Sequence, residues 1–233
     1  MDHALRVLED AHIDIEGRMP WSSNATFLVN LCLDGEAAAQ AVYKPVRGER
    51  PLWDFPAGLH HREVAAYRLS DELGWNVVPP TIVRADAPYG EGSLQLFMPS
   101  DFEQHYFTLL ENREDLHGRL MAICALDLMM NNTDRKGGHC LLGLDGNVWA
   151  IDNGLCFAEE FKLRTVIWDF AGDEVPDELR PGIERIAAEV PDGVAELLDE
   201  AEVDALSRRA AALVAHPVFP SDPTGRRYPW PLV

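Results

Sequence analysis

The chain has 233 residues, with 20 Lys and Arg against 39 Asp and Glu, for a formal net charge of −19. That sign excludes a general electrostatic footprint for nucleic acid, which needs clustered basic side chains. It also weighs against docking on anionic lipid. A hydrophobic content of 47% with 25% charged residues describes a folded chain, long enough for one large domain or two small lobes. No apolar run approaches the roughly 18–20 residues of a membrane span. The start, MDHALRVLEDAH, lacks the basic-then-apolar plan of a signal peptide and the glycine that myristoylation needs at position two. Cys32, Cys124, Cys140 and Cys156 form no C-x-x-C pair and have apolar neighbours. They read as buried free thiols in a reducing cytoplasm, rather than as zinc ligands or disulfides.

The first half reads as strand-rich. Residues 12–19 and 25–33 carry β-favouring side chains, and Asp34-Gly35 turns the chain after the second run. AVYKPV (41–46) is a third short strand, stopped by Pro45 and the Arg47-Gly48 turn, and a loop rich in Pro, Gly and Trp follows to Gly58. Residues 60–73 read as a helix with Val64, Tyr67, Leu69 and Leu73 as its apolar stripe and Gly74 as its C-cap. Residues 77–83 and 93–98 are two more strands, divided by DAPYGEG.

The second half reads as helical. Residues 116–130 form a helix too apolar for a surface position. The polar loop NNTDRKGGH (131–139) follows, then CLLGL and VWAI around the hairpin signal Asp145-Gly146-Asn147. Helices are expected over 177–190 and 202–215, and the tail from His216, with five prolines, reads as an irregular extension. Residues 169–204 hold thirteen acids and two arginines, a solvated outer face by the ordinary reading of such runs. Trp75, Trp149, Trp168 and Trp230 read as packing residues, and Trp53 either as packing or as a border of an active-site mouth. His60-His61 reads as a helix start rather than a metal motif.

Three segments stand out together: VYKP with Lys44, HHREVAAY with Glu63, and NNTDRKGGH followed by AIDNG, with Asp134, His139 and Asp152. Each residue alone has a bland reading, as a surface lysine, a solvated glutamate or a turn aspartate. Their order is more specific. Phosphoryl transfer from ATP needs a cation on the α/β-phosphates, a carboxylate to hold that cation, metal ligands on the phosphates and a group that orients the acceptor. In kinase-like folds these arrive as a strand Lys, a helix Glu, a loop Asp, a metal ligand five residues later, and a second metal Asp. Lys44, Glu63, Asp134, His139 and Asp152 follow that order and spacing.

The sequence resembles the phosphatidylinositol 3-/4-kinase-like superfamily, on the protein-kinase-like fold, and more narrowly a small bacterial PI3/PI4-kinase-like family. The stretch from YKPVRGERP to VVPPT is similar to the Lys-Pro, Arg-Glu-Val-Ala-Ala-Tyr and Val-Pro-Pro-Thr blocks of plant type II PI4-kinase-like proteins. GSLQLFMPSD resembles their hinge, NNTDRK their catalytic loop, and IDNGLCF their metal-binding segment. The resemblance runs from about Ile15 to about Phe157. It implies an α+β, two-lobed fold: an antiparallel-sheet N-lobe over 1–98 and a mainly helical C-lobe over 99–233, with ATP between them. It implies that Lys44 meets the α/β-phosphates and is held by Glu63. Asp134 is to orient or deprotonate the acceptor hydroxyl, and Asp152 to bind the metal. Leu96, Phe97 and Met98 become the hinge, with Val42, Leu141 and Ile151 around adenine.

Two features depart from that pattern. The loop RMPWSSNATF has no glycine run. Ser22, Ser23 and Asn24 either cradle phosphates through amides and hydroxyls or form a plain hairpin turn. His139 replaces the usual Asn, and imidazole suits transition metals better than Mg²⁺, so His139 either shifts preference toward Mn²⁺, leaves a one-metal site, or donates to phosphate. The expectation is an ATP- and Mg²⁺- or Mn²⁺-dependent phosphotransferase acting on a hydroxyl of a soluble small molecule or a protein, without nucleic acid or stable membrane association. The alternatives are a nucleotide-binding pseudokinase or regulator, an AMP transferase on the same fold, and a kinase-like shell that has lost both.

Overall fold

A computed structural model describes residues 2–20 and 24–233. Helix α1 (Asp2–Asp10) comes first, an element the sequence reading left out, although Ala4, Val7, Leu8 and Ala11 recur at helical spacing. Strands β1 (His12–Arg18), β2 (Phe27–Leu33) and β3 (Glu36–Pro45) then form an antiparallel meander. Asp34 and Gly35 both take positive φ, 54° and 85°. That is the type I′ geometry which matches the twist of a two-residue hairpin, so β3 begins at Glu36, earlier than the expected 41. Helix α2 (Leu59–Glu72), β4 (Thr81–Arg84) and β5 (Gly92–Leu96) follow, and the five strands pair in the order β1-β2-β3-β5-β4. The expected strand over 77–83 starts only at Thr81 because Pro79 and Pro80 donate no ladder bond. The Val77 and Val78 amides instead donate to Ser70 Oγ.

Period-two alternation divides β3 between two jobs. Ala41 and Tyr43 join Val29, Leu31 and Leu94 in a core closed by Val7 and Leu8 of α1. Val42 and Lys44 therefore point the other way, toward the face where the site lies. Arg84 fastens α1 to the sheet, donating to the carbonyls of Leu8 and Ala11.

The second half holds β6 (Ser100–His105), α3 (Tyr106–Asn112), α4 (His117–Met130), β7 (Cys140–Gly143), β8 (Val148–Ala150), α5 (Arg180–Ala188), α6 (Asp192–Ala195) and α7 (Glu200–Ala215). Strands β6, β7 and β8 make a small antiparallel sheet. A large core forms around α4, where Leu120, Ile123, Leu126 and Met130 pack with Tyr106, Phe157, Ile167 and Leu206. Ala65, Ala66, Tyr67 and Leu69 of α2 belong to this same core, so α2 is buried nearly all round and bridges the sheet and the helical half. Among the tryptophans, Trp75 and Trp149 are buried and Trp168 packs partly against the core. Trp53 is 96% exposed, and Trp230 is exposed rather than packed.

The proline-rich tail is docked. Thr165 N and Trp168 Nε1 both donate to the Arg227 carbonyl at 3.1 Å, and Gly137 N donates to the Leu232 carbonyl at 2.7 Å. No helix among the described residues is long and apolar enough to cross a membrane.

Candidate active site

The cleft-facing end of β3 presents Lys44, one turn inside α2 lies Glu63, and the chain turns sharply after β8 to present Asp152. The three meet. Lys44 Nζ donates to Glu63 Oε1 and, at 2.7 Å, to Asp152 Oδ1. Glu63 is buried, and its second oxygen accepts the Asn153 amide at 3.0 Å. The glutamate thus ties α2 both to the sheet and to the turn that carries Asp152. Charge pairing is mutual in its effect. Burial alone would lower the Lys44 ammonium, but Asp152 and Glu63 raise it above the usual lysine range. The Lys44 charge holds the Asp152 carboxyl well below the usual carboxylate range. Asp152 adopts φ 57°, a left-handed conformation that strains a non-glycine residue and is concentrated at functional positions.

Asp134 lies across from this group, in the loop after α4. That loop is built on a buried ion pair. Arg135 is 0% exposed, and Asp127, from the middle of α4, is 1% exposed. Arg135 Nε donates to Asp127 Oδ2 at 2.9 Å and Nη2 to Oδ1 at 2.9 Å. The remaining guanidinium hydrogens reach the Ile151 carbonyl at 2.8 Å and Asn153 Oδ1 at 2.6 Å. Asn132 completes the scaffold, donating to Asp127 Oδ1 at 3.0 Å and accepting the Asp134 amide at 2.9 Å. One buried cluster therefore positions Asp134 and the residues on either side of Asp152. Burial raises the Asp134 carboxyl above its ordinary value, opposed by the Lys136 ammonium 3.1 Å away.

His139 Nδ1 lies 2.9 Å from the Asp134 carbonyl. The Lys136 amide also points at Nδ1 from 3.5 Å, but the carbonyl is nearer and only accepts, so the shorter contact assigns the proton to Nδ1 and leaves a lone pair on Nε2. That lone pair is 3.6 Å from Asp152 Oδ2. Burial keeps the ring neutral, pushing the imidazole down to about 4. Two acceptor atoms facing one another with no proton between them could hold a divalent cation between His139 Nε2 and Asp152 Oδ2.

The other expected positions are distributed as follows. Val42 shares with Lys44 the face of β3 opposite Ala41 and Tyr43, Leu141 is buried on β7, and Ile151 is partly buried just before Asp152. The Leu96 amide donates to the Pro80 carbonyl at 2.8 Å and the Phe97 amide to the Gln40 carbonyl at 2.9 Å. Two of the three expected hinge amides are thus committed to backbone partners. The Met98 carbonyl accepts from Ser100 Oγ. Asn24 Oδ1 accepts the Arg50 amide at 3.1 Å, tying the β1–β2 connection to the start of the loop before α2. Ser22 and Ser23 lie outside the described residues. The sequence reading missed Asp127, Asn132 and Asn153. A lone carboxylate in an otherwise apolar helix, with an arginine eight positions later, was the available signal for the first.

Comparisons with known proteins give the family and the fold. The sequence profile of the phosphatidylinositol 3- and 4-kinase family matches residues 58–208. Protein Rv2133c of Mycobacterium tuberculosis is 40% identical over 269 aligned positions, which cover 99% of this chain and 95% of that one. Among solved structures, hydra Fam20 with sugar superposes with a TM-score of 0.55 at 14% identity, covering 91% of this chain and 85% of that one. The Helicobacter pylori proinflammatory kinase CtkA superposes with a TM-score of 0.55 at 9% identity, covering 91% and 94%. The chain belongs to the phosphatidylinositol 3- and 4-kinase family and has the two-lobed, kinase-like fold, which makes it a phosphotransferase at the family level.

Proposed function

We propose that this protein transfers the terminal phosphoryl group of ATP to a hydroxyl of a soluble small molecule or a protein. The observation that carries this reading is the convergence of Lys44, Glu63 and Asp152 from three distant segments, with the Asp134 loop braced by the same residues that flank Asp152. Lys44 binds the α/β-phosphates, and Glu63 keeps its ammonium in place. Asp134 accepts a hydrogen bond from the acceptor hydroxyl and takes its proton as the acceptor oxygen bonds to the γ-phosphorus and the bond to the β,γ-bridging oxygen breaks, releasing ADP. Its raised pKa brings it closer to neutrality than an ordinary aspartate. Asp152 and His139 hold the divalent metal, whose chemistry is to neutralise charge on the phosphate oxygens. The imidazole favours Mn²⁺ over Mg²⁺ relative to an all-oxygen site.

Val42, Leu141 and Ile151 sandwich adenine, and Met98 supplies the hinge amide, since those of Leu96 and Phe97 have other partners. The lobes divide between Met98 and Pro99, giving an N-lobe of 1–98 and a C-lobe of 99–233. The charge of −19 supports a soluble acceptor over an anionic lipid surface.

The experiment is turnover with ATP labelled separately at the α- and γ-phosphates, with Mg²⁺ or Mn²⁺, on wild type, Asp134→Asn and Asp152→Ala. The expected result is label transfer from the γ position only. Asp134→Asn should keep nucleotide affinity and lose turnover, and Asp152→Ala should lose metal-dependent nucleotide binding. Transfer of the α-label would replace this reading with AMP transfer. Nucleotide binding without any turnover, even ATP hydrolysis or autophosphorylation, would replace it with a regulator.

A further inference from the structure

A second group of ligand-type side chains lies one helical turn before Glu63, outside the cleft. His60 and His61 open α2, Glu91 immediately precedes β5, and Glu49 follows β3, so three segments converge there. His60 is 4% exposed, yet neither of its ring nitrogens makes an aligned hydrogen bond among the described residues. A buried polar ring left in that state is costly and calls for an explanation. Its Nε2 stands 3.3 Å from Glu91 Oε1 and its Nδ1 stands 3.4 Å from Glu49 Oε1. The His61 ring leans against it with centroids 4.0 Å apart. One ligand atom each from His60, His61 and Glu91 lies within 4.8 Å of the others. Glu49 is pinned, its carboxylate accepting the amides of Gly58 at 3.1 Å and His60 at 3.0 Å.

We infer that His60, His61 and Glu91 form a transition-metal site of the zinc class, with Glu49 orienting His60 from behind. Two imidazoles and one carboxylate suit Zn²⁺ and its neighbours rather than Mg²⁺. Tetrahedral ligands about 2.0–2.1 Å from zinc sit about 3.3 Å from one another, which is the separation His60 Nε2 and Glu91 Oε1 already have. A carboxylate behind the second ring nitrogen fixes the tautomer and strengthens the ligand, and this is where Glu49 stands. The two histidines do stand at the helix start, as expected from sequence, and their partners Glu49 and Glu91 are distant in the chain. The site ties the first turn of α2 to the start of β5. Glu63 lies three residues after His60, so the bound metal fixes the helix that holds the Lys44 partner.

Co²⁺ is the probe, added to the full chain freed of any affinity tag and carrying Asp152→Asn, which removes the cleft carboxylate. One equivalent should bind with visible d–d absorption and without a thiolate charge-transfer band, and it should be displaced by Zn²⁺ but not by Mg²⁺. Adding His61→Ala or Glu91→Ala should abolish that spectrum. These two side chains lie nearer the surface than His60, so the fold should tolerate their loss, which a circular dichroism spectrum checks. Glu49→Gln should weaken binding about 10- to 100-fold. Absence of Co²⁺ binding in the Asp152→Asn protein would overturn the inference and leave His60 as a structural contact between two carboxylates. Binding that survives both surface variants would also overturn it. Since the cleft ligand is missing from the protein under test, either failure leaves the cleft reading intact.

Discussion

Asp127→Ala tests the scaffold beneath the active site most directly. Among the described residues, the substitution removes the only carboxylate within ion-pair distance of a guanidinium that is 0% exposed. It deletes both 2.9 Å bonds from Arg135 and the 3.0 Å bond from Asn132. Breaking a buried pair by removing one partner costs about 3–5 kcal/mol. For a chain of this length about 1 kcal/mol moves Tm by roughly 2–4 °C, so the melting temperature should fall by about 6–20 °C. A thermal melt followed by circular dichroism reads this. The paired variant Asp127→Leu/Arg135→Met replaces both charges with apolar groups of similar size, which leaves no orphaned ion and should restore much of the stability. Turnover should nevertheless stay low in the pair, because Arg135 also holds the Ile151 carbonyl and Asn153 Oδ1 on either side of Asp152. An Asp127→Ala protein within about 1 kcal/mol of wild type, inside the range of ordinary surface changes and mild substitutions, would refute the structural part. A fully active double variant would refute the link to the site.

Three further outcomes are expected. A Cβ on Gly154 would stand 3.2 Å from Glu63 Oε1, so Gly154→Ala should leave the melting temperature nearly unchanged while lowering turnover about tenfold or more through misplacement of the Lys44 partner; unchanged kinetics would show that Glu63 has slack. Cys124, Cys140 and Cys156 are buried while Cys32 is partly exposed, and burial pushes the Cys140 thiol up to about 12. Iodoacetamide should therefore label Cys32 alone in the native protein, as a peptide map would read, and rapid labelling of Cys140 would contradict its placement. Burial raises the Asp222 carboxyl, but the Thr224 hydroxyl and the amides of Arg227, Thr224 and Arg226 overcome this and bring it from 3.8 to about 2. A carboxyl depressed by folding contributes stability that is complete above its unfolded value and lost as pH falls through the folded one. The tail turn should hold at pH above 3.8 and loosen toward 2, with the Thr224 and Arg227 amide resonances titrating near the lower value; a midpoint at the unperturbed value would deny those hydrogen bonds.

How much of this was legible in sequence depends on where the information resides. Lys44, Glu63, Asp134, His139 and Asp152 were readable because chemistry demands those residue types in that chain order, and the fold brings Lys44, Glu63 and Asp152 into contact. The strands and long helices were readable from local pattern, and they err where a local rule was passed over. Pro79-Pro80 delays β4, and the Asp34-Gly35 hairpin lengthens β3. β6 escaped because SDFEQH is polar and largely exposed, with no alternation to betray it. Burial, by contrast, is a property of the whole fold. Nothing in the string around Asp127 says that its carboxylate meets Arg135 without water, and nothing near His60 says that Glu49 and Glu91 close on it from two other segments. Lys44, Glu63, Asp134, His139 and Asp152 were visible through their order along the chain, whereas the parts that hold those residues still became visible only when the chain was folded. That division has a physical origin. A set of charged groups can be recognised by the chemistry that its order along the chain serves, but a buried charge is tolerable only with a partner, and the partner is chosen by topology. Interrupting a partner should therefore cost stability and activity together, as for Asp127, whereas neutralising a cleft-facing group such as Asp134 should cost activity while leaving the melt nearly where it was.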